Sequence, residues 1–494
     1  MDVDSSGLPN VLGIERKTPF HPDWKLYSQT YNSRLPVEPK VVFLPANCRQ
    51  VALTVSAASL FDYKVQARSG GFSYAPHSNG GVDGAVVIDL RKLKNIDFLE
   101  SNVVRVGAGV RLGNLASTIY WEKGLALAQA TTCPCIGVGG HYTHGGFGLC
   151  SRAWGLAMDQ VVALDVVMAN GEVVRASEQE NQELFMAMRG AADSFGIAVN
   201  FYLQARLAPK TIVKWNVEVP SALASVESAV EALKHVQKFV NDASVVDRRL
   251  GLMVSLTRGR FVVGGTFLGR SEEFSAKVLP ALLGGLPRRQ RVTSSSFQEG
   301  RWYSALRPRG NVNVRLEAGI NPAEHPKMCY SKCAVVNHPG LSDDVLNRFF
   351  DFILSKDQIT RPTRYYIGMQ LYGGRDSQIT ANKRNDAFAH RDAMWVIDYN
   401  TYIMDARVAV FPEKAVRFVE ELHKTLGDGH GAYNNYADAS LGFEEAQRLY
   451  YGQKLDALKE LKGRLDPNDV FCHPQSIKPV GVEDADHVGE GLNK

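Results

Sequence analysis

A sixteen-residue stretch, Cys133 to Gly148, combines residue types that could support chemistry: six glycines, two cysteines and two histidines, with no acidic residue. Glycine loses more backbone entropy on folding than any other residue. Its repeated use therefore indicates a backbone that needs positive φ angles or a close approach to a ligand. Successive backbone N–H groups in such a loop bind anions such as a pyrophosphate. The alternative interpretation is a glycine-rich surface loop in which the thiols and imidazoles have no chemical role.

Other glycine motifs separate the classes of nucleotide site. No GxxxxGK[ST] pattern occurs, which excludes a P-loop. Residues 107–113 follow a predicted strand and open a helix, but their glycine spacing is one residue too long for a dinucleotide fingerprint. No acidic residue closes a second strand about 20 residues further on, so a Rossmann NAD site is not favoured. A second glycine-rich loop, 68–74, directly follows a predicted strand.

Composition restricts the class of protein. A chain of 494 residues is expected to form two or three domains. Its 45% hydrophobic residues are typical of globular proteins, and its net charge of +4 indicates neither nucleic acid nor a membrane surface as partner. The seven scattered cysteines show no spacing that predicts a metal site. A polar N-terminus, no N-x-[ST] acceptor and no apolar run long enough to span a bilayer favour a cytoplasmic protein with reduced thiols.

The elements around the two glycine loops predict an α+β unit up to about residue 208. Apolar alternation predicts a strand at 63–68 that runs straight into the second loop, and a helix at 48–61 precedes it. A helix predicted at 112–123 ends at Gly124, as a helix C-terminus should. The dipeptide Asn170-Gly171 predicts a hairpin turn.

The region from about 211 to 425 has longer predicted strands and no glycine loop. Its pattern predicts one sheet covered by helices on one face, which could lie over a substrate. The predicted strands are 213–219, 249–256, 260–268, 364–372 and 394–402, and the predicted helices are 222–240, 343–354 and 415–426. A last helix is predicted at 443–465.

Several motifs occur together in a fixed order between about residues 35 and 477. They are RSGGFSY (68–74), GVDG (81–84), VGAG (106–109), CP with GVGGH and GGFG (133–148), MRGAADSFGI (188–197), AHR (389–391), YNNYAD (433–438) and DPNDVF (466–471). In this combination the chain resembles the vanillyl-alcohol-oxidase superfamily of flavoproteins. Within that superfamily it resembles the berberine-bridge-enzyme-like branch, which includes fungal oligosaccharide oxidases.

The resemblance implies a fold and a division of the chain. The expected fold is α+β, with a split, two-lobed FAD-binding domain and a central substrate domain made of one antiparallel sheet covered by helices. The expected boundaries are 35–208 for the first FAD-binding part, 209–425 for the substrate domain, 426–480 for the return to the FAD-binding domain, and 481–494 for a flexible tail.

The resemblance also implies which residues hold FAD. The pyrophosphate is expected to contact the loop formed by Arg68, Ser69, Gly70, Gly71, Phe72 and Ser73. Cys133 matches the cysteine that bonds to carbon 6 of the flavin, and His141 matches a histidine that stabilises reduced flavin near N1. Further contacts are expected at Ile136, Gly137, Val138, Gly140, Gly145, Gly148, Gly196, Ile197, Val199 and Asn435.

The chain departs from the family pattern at the flavin. Where the family has a histidine bonded to the 8α-methyl group, this chain has Phe72, which offers no nucleophilic atom. The flavin is therefore expected to be linked at most once, through Cys133. His77 is near in sequence, but the motif gives no reason to place its ring at the 8α position.

A second departure concerns the substrate's proton. Tyr436 matches the tyrosine that acts as a base on a substrate hydroxyl in the sugar oxidases, where an aspartate on a neighbouring strand supports it. The position of that aspartate aligns with Gln370, a neutral amide. An unperturbed tyrosine has a pKa near 10, so general-base action by Tyr436 needs help that Gln370 does not provide. At the expected oxygen pocket, Ile136 is one methylene larger than the valine typical of oxidases.

The sequence thus predicts an FAD-dependent oxidoreductase that takes a hydride from a C–H next to oxygen or nitrogen in a small-molecule substrate. We expect an oxidase that passes electrons to O₂, with a dehydrogenase as the other possibility. The substrate class expected first is an alcohol or amine of specialised metabolism, because the chain shows none of the export or glycosylation signals of the secreted sugar oxidases. Two alternatives stay open: a carbohydrate oxidase acting at C1, and a non-redox cyclase or isomerase that keeps FAD.

Overall fold

Three β-sheets contain nearly all the strands described in the computed structural model. The structure describes residues 13–128, 133–288, 290–291, 296–306, 327–355, 359, 361–382, 384–403, 405 and 407–481. Across these ranges, no helix combines the length and the apolar character that a membrane crossing requires.

The first lobe contains two of the sheets. One consists of β1 (Arg16–Lys17), β2 (Val41–Phe43), β3 (Val65–Arg68) and β4 (Val86–Asp89), in the order β1-β2-β4-β3 with β2, β4 and β3 parallel. The other is antiparallel and consists of β5 (Ile96–Phe98), β6 (Val103–Gly107), β8 (Val161–Val167), β9 (Val173–Ser177) and β10 (Ile197–Gln204), in the order β5-β6-β10-β8-β9. A short pair joins β7 (Leu125–Ala126) to β11 (Arg206–Leu207).

The third sheet is central in the chain and entirely antiparallel. Its strands are β12 (Ile212–Glu218), β13 (Leu250–Thr257), β14 (Arg260–Phe267), β15 (Phe297–Gly300), β16 (Met328–Asn337), β17 (Arg364–Leu371) and β18 (Ala393–Ile403), in the order β15-β12-β14-β13-β17-β18-β16. The five strands predicted for this region are confirmed. The edge strands β15 and β16 were not predicted. In β16, Ser331 and Lys332 interrupt the apolar pattern.

Helices connect the strands and cover the sheets. Those of the first lobe are α1 (Trp24–Ser28), α2 (Cys48–Leu60), α3 (Leu112–Lys123), α4 (Val138–Thr143), α5 (Ser151–Trp154) and α6 (Gln182–Met188). Those that follow are α7 (Val226–Phe239), α8 (Ser271–Glu273), α9 (Leu279–Gly284), α10 (Trp302–Ala305), α11 (Asp343–Leu354), α12 (Gln378–Ala381), α13 (Glu413–Leu426), α14 (Phe443–Tyr451) and α15 (Leu455–Leu465).

Local signals explain the boundaries that were predicted correctly. The side chain of Asn47 caps α2 by accepting a hydrogen bond from the N–H of Gln50. Helix α3 ends at Gly124, which adopts a left-handed φ of 63° that favours glycine. The turn between β8 and β9 places Gly171 at a φ of 82°, as the predicted hairpin requires.

The central sheet has a covered face and an open face. Helices α7, α11 and α13 pack on one face and form a hydrophobic core with the strands, through residues such as Leu233, Phe349 and Val419. Because side chains alternate between the two faces of a strand, Gln370 and Asp398 point from the opposite face toward the first lobe. This open face is available to a ligand.

The C-terminal segment returns to the first lobe. The single helix predicted at 443–465 is wrong: α14 and α15 are separated by a 3₁₀ turn at Gly452–Lys454, and Gly452 ends α14 at a φ of 50°. Leu458 and Phe471 join the core of the first lobe. Lys462 is fully buried and pairs with Asp466 at 2.7 Å. The first lobe is therefore built from two separate segments of the chain.

These observations confirm the α+β class and the antiparallel central sheet covered by helices. The domain boundaries at 208/209 and 425/426 stay predictions. The predicted flexible tail lies, beyond Gly481, outside the described residues.

Candidate active site

A cavity of about 600 Å³ lies between the glycine loops of the first lobe and the open face of the central sheet. Its wall brings together many of the residues that the sequence predicts for a cofactor and substrate site. These are Ser69, Gly70, Gly71, Phe72, Ser73, Cys133, Ile136, Gly137, Gly140, His141, Gly148, Gln370, Asn435 and Tyr436.

The other predicted residues do not line the cavity. They are Arg68, Val138, Gly145, Gly196, Ile197 and Val199. The buried Arg68 guanidinium donates to the Asp89 carboxylate at 2.8 Å and to the carbonyl oxygen of Tyr27 at 2.7 Å. Its side chain therefore anchors the loop and does not face the cavity. Val138 and Val199 are buried in the hydrophobic core. A direct cofactor contact of these six residues stays a prediction.

The two glycine loops pack backbone against backbone. A Cβ atom on Gly70 would lie 2.4 Å from the nitrogen of Gly137, and a Cβ on Gly137 would lie 2.3 Å from the nitrogen of Gly70. Neither distance is compatible with a side chain, so both positions require glycine. The Ser69 hydroxyl joins the loops by donating to the carbonyl oxygen of Ala108 at 2.6 Å and accepting from the N–H of Gly139 at 3.2 Å.

One side chain outside the predicted set holds both loops. Arg111, from the position just before α3, donates to the carbonyl oxygen of Gly70 at 2.6 Å and to that of Cys135 at 3.0 Å. Its guanidinium also lies 5.7 Å from the centre of the Phe72 ring. The sequence did not single out Arg111, because only the folded chain brings the two loops to it.

The wall near His141 has the features that a flavin nucleotide requires. His141 is buried and its Nε2 has no hydrogen-bond partner within the described structure. Burial lowers the pKa of His141 to about 4, so the imidazole is neutral at pH 7. Beside it, a Cβ on Gly140 would meet only the Asn435 Oδ1, at 3.8 Å, which leaves room on the cavity side. The residues present therefore fit FAD: the backbone of the two glycine loops would hold its phosphates, and His141 offers an unused polar atom.

Cys133 and Phe72 lie in the same wall of the cavity. The Phe72 ring packs 5.1 Å from the ring of Tyr31. A hydrogen bond with Cys135, together with burial, raises the pKa of the Cys133 thiol. Because the thiolate is the nucleophilic form, a bond from Cys133 to the flavin requires this proton to leave. Phenylalanine at position 72 cannot supply a second bond.

Three histidines and one carboxylate form a polar cluster at another part of the wall, where His77, His144 and Asp193 line the cavity and His473 lies next to them. Asp193 lies 3.0 Å from His473 Nε2 and 3.3 Å from His144 Nε2. Burial would raise the pKa of Asp193, but the charge and hydrogen bond of His144 and the hydrogen bond of His473 hold it well below its ordinary value. His77 stacks on His473 at 4.1 Å. Burial, reinforced by His473, lowers the pKa of His77 to about 3 and keeps its ring neutral.

Tyr436 and Gln370 meet as the alignment of the sequence indicated. The Gln370 amide donates to the Tyr436 hydroxyl, with 2.6 Å between Nε2 and the hydroxyl oxygen. Burial, together with the nearby Asp398 carboxylate, raises the pKa of Tyr436 well above its ordinary value. Tyr436 is therefore a neutral phenol at pH 7, which can orient a hydroxyl group but does not accept a proton unaided.

The turn that carries Tyr436 is tied to the glycine loop. Residues Asn434–Tyr436 form a 3₁₀ turn. Asn435 donates to the carbonyl oxygen of His144 at 3.0 Å and to the Tyr433 hydroxyl at 2.8 Å. The same Tyr433 hydroxyl accepts a hydrogen bond from the N–H of Gly146 at 2.9 Å. Asn435 therefore holds the turn with Tyr436 against the glycine loop at 133–148.

The sequence analysis missed a carboxylate in this cavity. Asp398 on β18 stands opposite Gly368 on β17, and its side chain lines the cavity. Burial raises the pKa of Asp398 to about 7. Its Oδ1 has no hydrogen-bond partner in the described part of the chain. Burial, together with the charge of Asp398, raises the pKa values of Tyr74, Tyr366 and Tyr436. These phenols therefore stay neutral at pH 7.

One signal in the sequence could have revealed Asp398. It is the single charged residue between Ala393 and Ile403, a strand that is otherwise mostly apolar and aromatic. Buried strands rarely contain an unpaired acid, so such a residue is a candidate for function.

Two family profiles match the chain. One, described as an FAD binding domain, matches residues 39–177, and the other, described as berberine and berberine like, matches residues 432–478. The first covers both glycine loops, and the second covers the turn with Asn435 and Tyr436. The two profiles thus match the glycine loops and the Tyr436 turn, which both line the cavity. The sequence analysis had assigned these motifs to the same flavoprotein family.

Relatives align with almost the whole chain. A xylooligosaccharide oxidase from Thermothelomyces thermophilus is 32% identical over 93% of this chain and 91% of its own length. An FAD-linked oxidoreductase from Metarhizium anisopliae is 30% identical over 92% of this chain and 87% of its own length.

A solved structure extends the comparison to the cofactor. The glucooligosaccharide oxidase of Acremonium strictum superposes with a TM-score of 0.87 at 25% identity, covering 95% of this chain and 98% of its own. That protein is described as carrying a 6-S-cysteinyl, 8α-N1-histidyl FAD. With profiles, relatives and cavity in agreement, the chain belongs to the berberine-bridge-enzyme-like family of FAD-dependent oxidoreductases, within the vanillyl-alcohol-oxidase superfamily.

Proposed function

We propose that this protein is an oxidase that removes a hydride from a carbon bearing a hydroxyl group, with C1 of a mono- or oligosaccharide as the first substrate class to test. The observation that carries the proposal is the meeting of Tyr436, Gln370 and Asp398 on one side of the cavity. Relatives that are named as oligosaccharide oxidases support the carbohydrate class over the alcohol or amine of specialised metabolism that the sequence alone suggested. FAD supplies the hydride acceptor and the route of electrons to O₂.

A hydroxyl-bearing substrate must lose a proton as its hydride leaves. Asp398 is suited to accept that proton, because a general base works best when its pKa lies near the working pH, and burial raises the pKa of Asp398 to about 7. Tyr436 is not suited, since its pKa is raised well above 10. We therefore assign the base role to Asp398 and the orientation of the substrate oxygen to the Tyr436 hydroxyl. This changes the role that the resemblance implied for Tyr436.

Aromatic side chains form part of the wall that a substrate would contact. Tyr31, Tyr74 and Tyr436 form a row of nearly parallel rings, with successive centroids 6.3 Å apart and interplanar angles of 27° and 24°. All three line the cavity. Sugar rings and planar aromatic molecules both pack on such faces, while the hydroxyl, amide and carboxyl groups beside them fix orientation.

The second candidate substrate is an alcohol or amine of specialised metabolism. Two observations favour it: the neutral Gln370 beside Tyr436, and the phenol-rich wall around Asp398, which is formed by Tyr74, Tyr366 and Tyr436. An amine that binds in its neutral form has no proton to give up before its hydride leaves, so its oxidation does not require Asp398 as base. The role of Asp398 therefore separates hydroxyl-bearing substrates from amines, and the comparison of a disaccharide with a simple alcohol separates the two kinds of hydroxyl-bearing substrate.

One set of anaerobic experiments tests these alternatives. The holoenzyme is mixed without oxygen with xylobiose, cellobiose, benzyl alcohol and benzylamine, and the loss of the yellow flavin absorbance is followed. Reduction by a disaccharide, with a rate that falls in Asp398→Asn, supports the proposal. Reduction by the amine alone, at equal rates in wild type and Asp398→Asn, would select the second candidate. Turnover of a substrate without any flavin reduction would identify the non-redox alternative.

Two further attributes remain proposals. We propose O₂ as the electron acceptor, because the related proteins are named oxidases, and hydrogen peroxide formation during turnover tests this. We also retain the cytoplasmic location inferred from the sequence, which cell fractionation of the source organism tests.

A further inference from the structure

A buried polar cluster lies between the central sheet and the turn that carries Tyr436. Its centre is an ion pair between Lys332 on β16 and Asp438, with Nζ and Oδ2 2.6 Å apart and the two side chains only 7% and 6% exposed. Neither residue lines the cavity, and the chemistry proposed above uses neither. A buried ion pair of this kind is weak evidence for stability, so its position deserves a functional explanation.

Neighbouring side chains complete the hydrogen bonding of this pair. The Ser440 hydroxyl donates to Asp438 Oδ1 at 2.6 Å, and Lys332 Nζ lies 3.0 Å from Ser440 Oγ. Glu420 on α13 lies 3.4 Å from Lys332 Nζ and is hydrogen-bonded to the hydroxyl of Tyr330, also on β16. The cluster therefore joins β16, α13 and the segment that follows Tyr436.

Tyr436 lies between two anchors from different parts of the fold. Before it, Asn434 donates to the carbonyl oxygen of Gly190 at 2.9 Å and Asn435 to that of His144 at 3.0 Å, both in the first lobe. After it, Asp438 is held by Lys332 on the central sheet. One end of the turn is thus fixed to the first lobe, and the Asp438 side chain at the other end is fixed to the edge strand β16. The backbone of Asp438 is held as well, since its N–H donates to the Tyr450 hydroxyl at 3.1 Å and its carbonyl oxygen accepts from Gln475 at 2.7 Å.

The strand that carries Lys332 also adjoins the proposed base. Strand β16 pairs with β18, and Cys333, the residue after Lys332, stands opposite Asp398. A displacement of the Lys332–Asp438 contact would therefore move Tyr436 relative to Asp398 and to Gln370, whose amide contacts the Tyr436 hydroxyl at 2.6 Å. No other charged contact between the described residues of β16 and Asp438 performs this task.

We propose that Lys332 and Asp438 are positioning residues that set the distance between the Tyr436 hydroxyl and the acid and amide side chains of the central sheet. This inference rests on the proposed role of Tyr436 in orienting the substrate. If the pair acts on catalysis only through Tyr436, then removing it must not change the rate of flavin reduction when the Tyr436 hydroxyl is absent.

A double-mutant cycle tests whether the effect of the pair depends on the Tyr436 hydroxyl. Lys332→Met, Tyr436→Phe and the combined variant are compared with wild type for the rate constant of anaerobic flavin reduction and for the substrate dissociation constant. We expect Lys332→Met to lower the reduction rate by about tenfold, the loss expected for one hydrogen bond in the reacting complex, with little change in substrate affinity. In the Tyr436→Phe background the same change should have no further effect. Additive losses in the combined variant would overturn the proposal.

Lys462→Met is the matched control for stability. Lys462 is also buried and paired, with Asp466 at 2.7 Å, but it lies on α15. Its hydrogen bonds and ion pairs to described residues go to Ser194, Asp466, Asp469 and Phe471, none of which belongs to the Tyr436 turn. Both lysine variants should unfold at lower temperature than wild type, because each leaves a buried carboxylate without its partner. Only Lys332→Met should lower the reduction rate at temperatures where both variants are folded. An equal loss of rate in Lys462→Met would show that general destabilisation explains the effect.

Hydrogen exchange gives a readout that is independent of turnover. In the holoenzyme, Lys332→Met should increase amide exchange in residues 433–440, whereas Lys462→Met should increase it only near the C-terminal helix. If Lys332→Met does not fold, Asp438→Asn takes its place, since it keeps an oxygen that accepts from Ser440. Unchanged exchange at 433–440 overturns the positioning role. If wild type is not reduced by any hydroxyl substrate, the proposed function fails, while the exchange result still judges the pair itself.

Discussion

Asp398 Oδ1 occupies the space beside Gly368 where a side chain would otherwise stand: a Cβ built on Gly368 would lie 2.6 Å from this oxygen. The two residues face each other across β17 and β18. The hydroxyl of Tyr366 borders the same space, 2.8 Å from that Cβ position. The glycine on one strand thus permits a buried carboxylate on the next, and this pair determines where the proposed base lies in the cavity.

The first prediction concerns the pH dependence of flavin reduction. Asp398 must be ionised to accept a proton, and its pKa lies at about 7, so the reduction rate should rise with pH through about 7 and then level off. Asp398→Asn should lower the plateau by about 10²–10⁴-fold and abolish this pH dependence, as measured by anaerobic stopped flow. Gly368→Ala is the companion variant, because it displaces the carboxylate without removing it. A pH profile that Asp398→Asn leaves intact would assign the base elsewhere.

The second prediction concerns stability. An aspartate in the unfolded chain has a pKa of about 3.9, whereas burial raises that of Asp398 to about 7 in the folded protein. Between these values the folded state binds a proton that the unfolded state has lost, so stability contributed by this group declines as pH rises from about 4 to 7. Asp398→Asn does not titrate. It should therefore gain unfolding temperature relative to wild type between pH 5 and pH 8, measured by differential scanning calorimetry. A difference that does not change with pH contradicts the buried-acid assignment.

The third prediction separates Tyr436 from Asp398. If Tyr436 orients the substrate by one hydrogen bond, Tyr436→Phe should lower the reduction rate by only about tenfold, with FAD content unchanged. If it were the base, the loss would be about 10²–10⁴-fold. Gln370→Asp adds an acid next to the phenol and tests whether a second proton acceptor can replace Asp398. Recovery of activity in Gln370→Asp/Asp398→Asn would show that a carboxylate on β17 can replace Asp398 as the base.

The fourth prediction concerns the covalent flavin. Phe72 has no nucleophilic atom, so Cys133 should hold the only link, in contrast to the relative described with both cysteinyl and histidyl bonds. Cys133→Ala should release all flavin on acid denaturation, and Cys135→Ala, the control in the same loop, should retain it. Flavin that stays bound to Cys133→Ala points to His77, which lines the cavity with its Nδ1 unpartnered among the described residues. The variant His77→Ala/Cys133→Ala then decides.

The fifth prediction concerns oxygen. Ile136 lines the cavity three residues after Cys133, where the resemblance implies an oxygen pocket. Ile136→Val removes one methylene and should speed reoxidation of the reduced enzyme without altering anaerobic reduction by substrate. Ile136→Leu keeps the volume and serves as control. Equal reoxidation rates in wild type and Ile136→Val would place the oxygen path at another wall.

The glycine loops and the cofactor could be predicted from the sequence because close backbone packing requires glycines, and these are visible in the sequence before the fold is known. Gly70 and Gly137 are demanded by backbone contacts that exclude a Cβ, and such positions leave a fixed pattern in the sequence whatever surrounds them. The same holds for α3, whose end at Gly124 depends on one left-handed residue. Phe72 could be read as the loss of a covalent link because a missing nucleophile is a property of the residue itself.

The proton chemistry could not be predicted in this way, since it depends on which strands are neighbours. Asp398 is 28 positions after Gln370, yet both reach the same cavity because β17 and β18 pair in one register. Its pKa of about 7 is a consequence of burial, which no single residue specifies. Lys332 lies on β16, which sequence patterns did not identify because polar residues interrupt it, and Asp438 meets it only through the tertiary fold. Residue types and spacing thus determined which cofactor family the chain belongs to, whereas strand order and burial decided which side chains stand beside the proposed base.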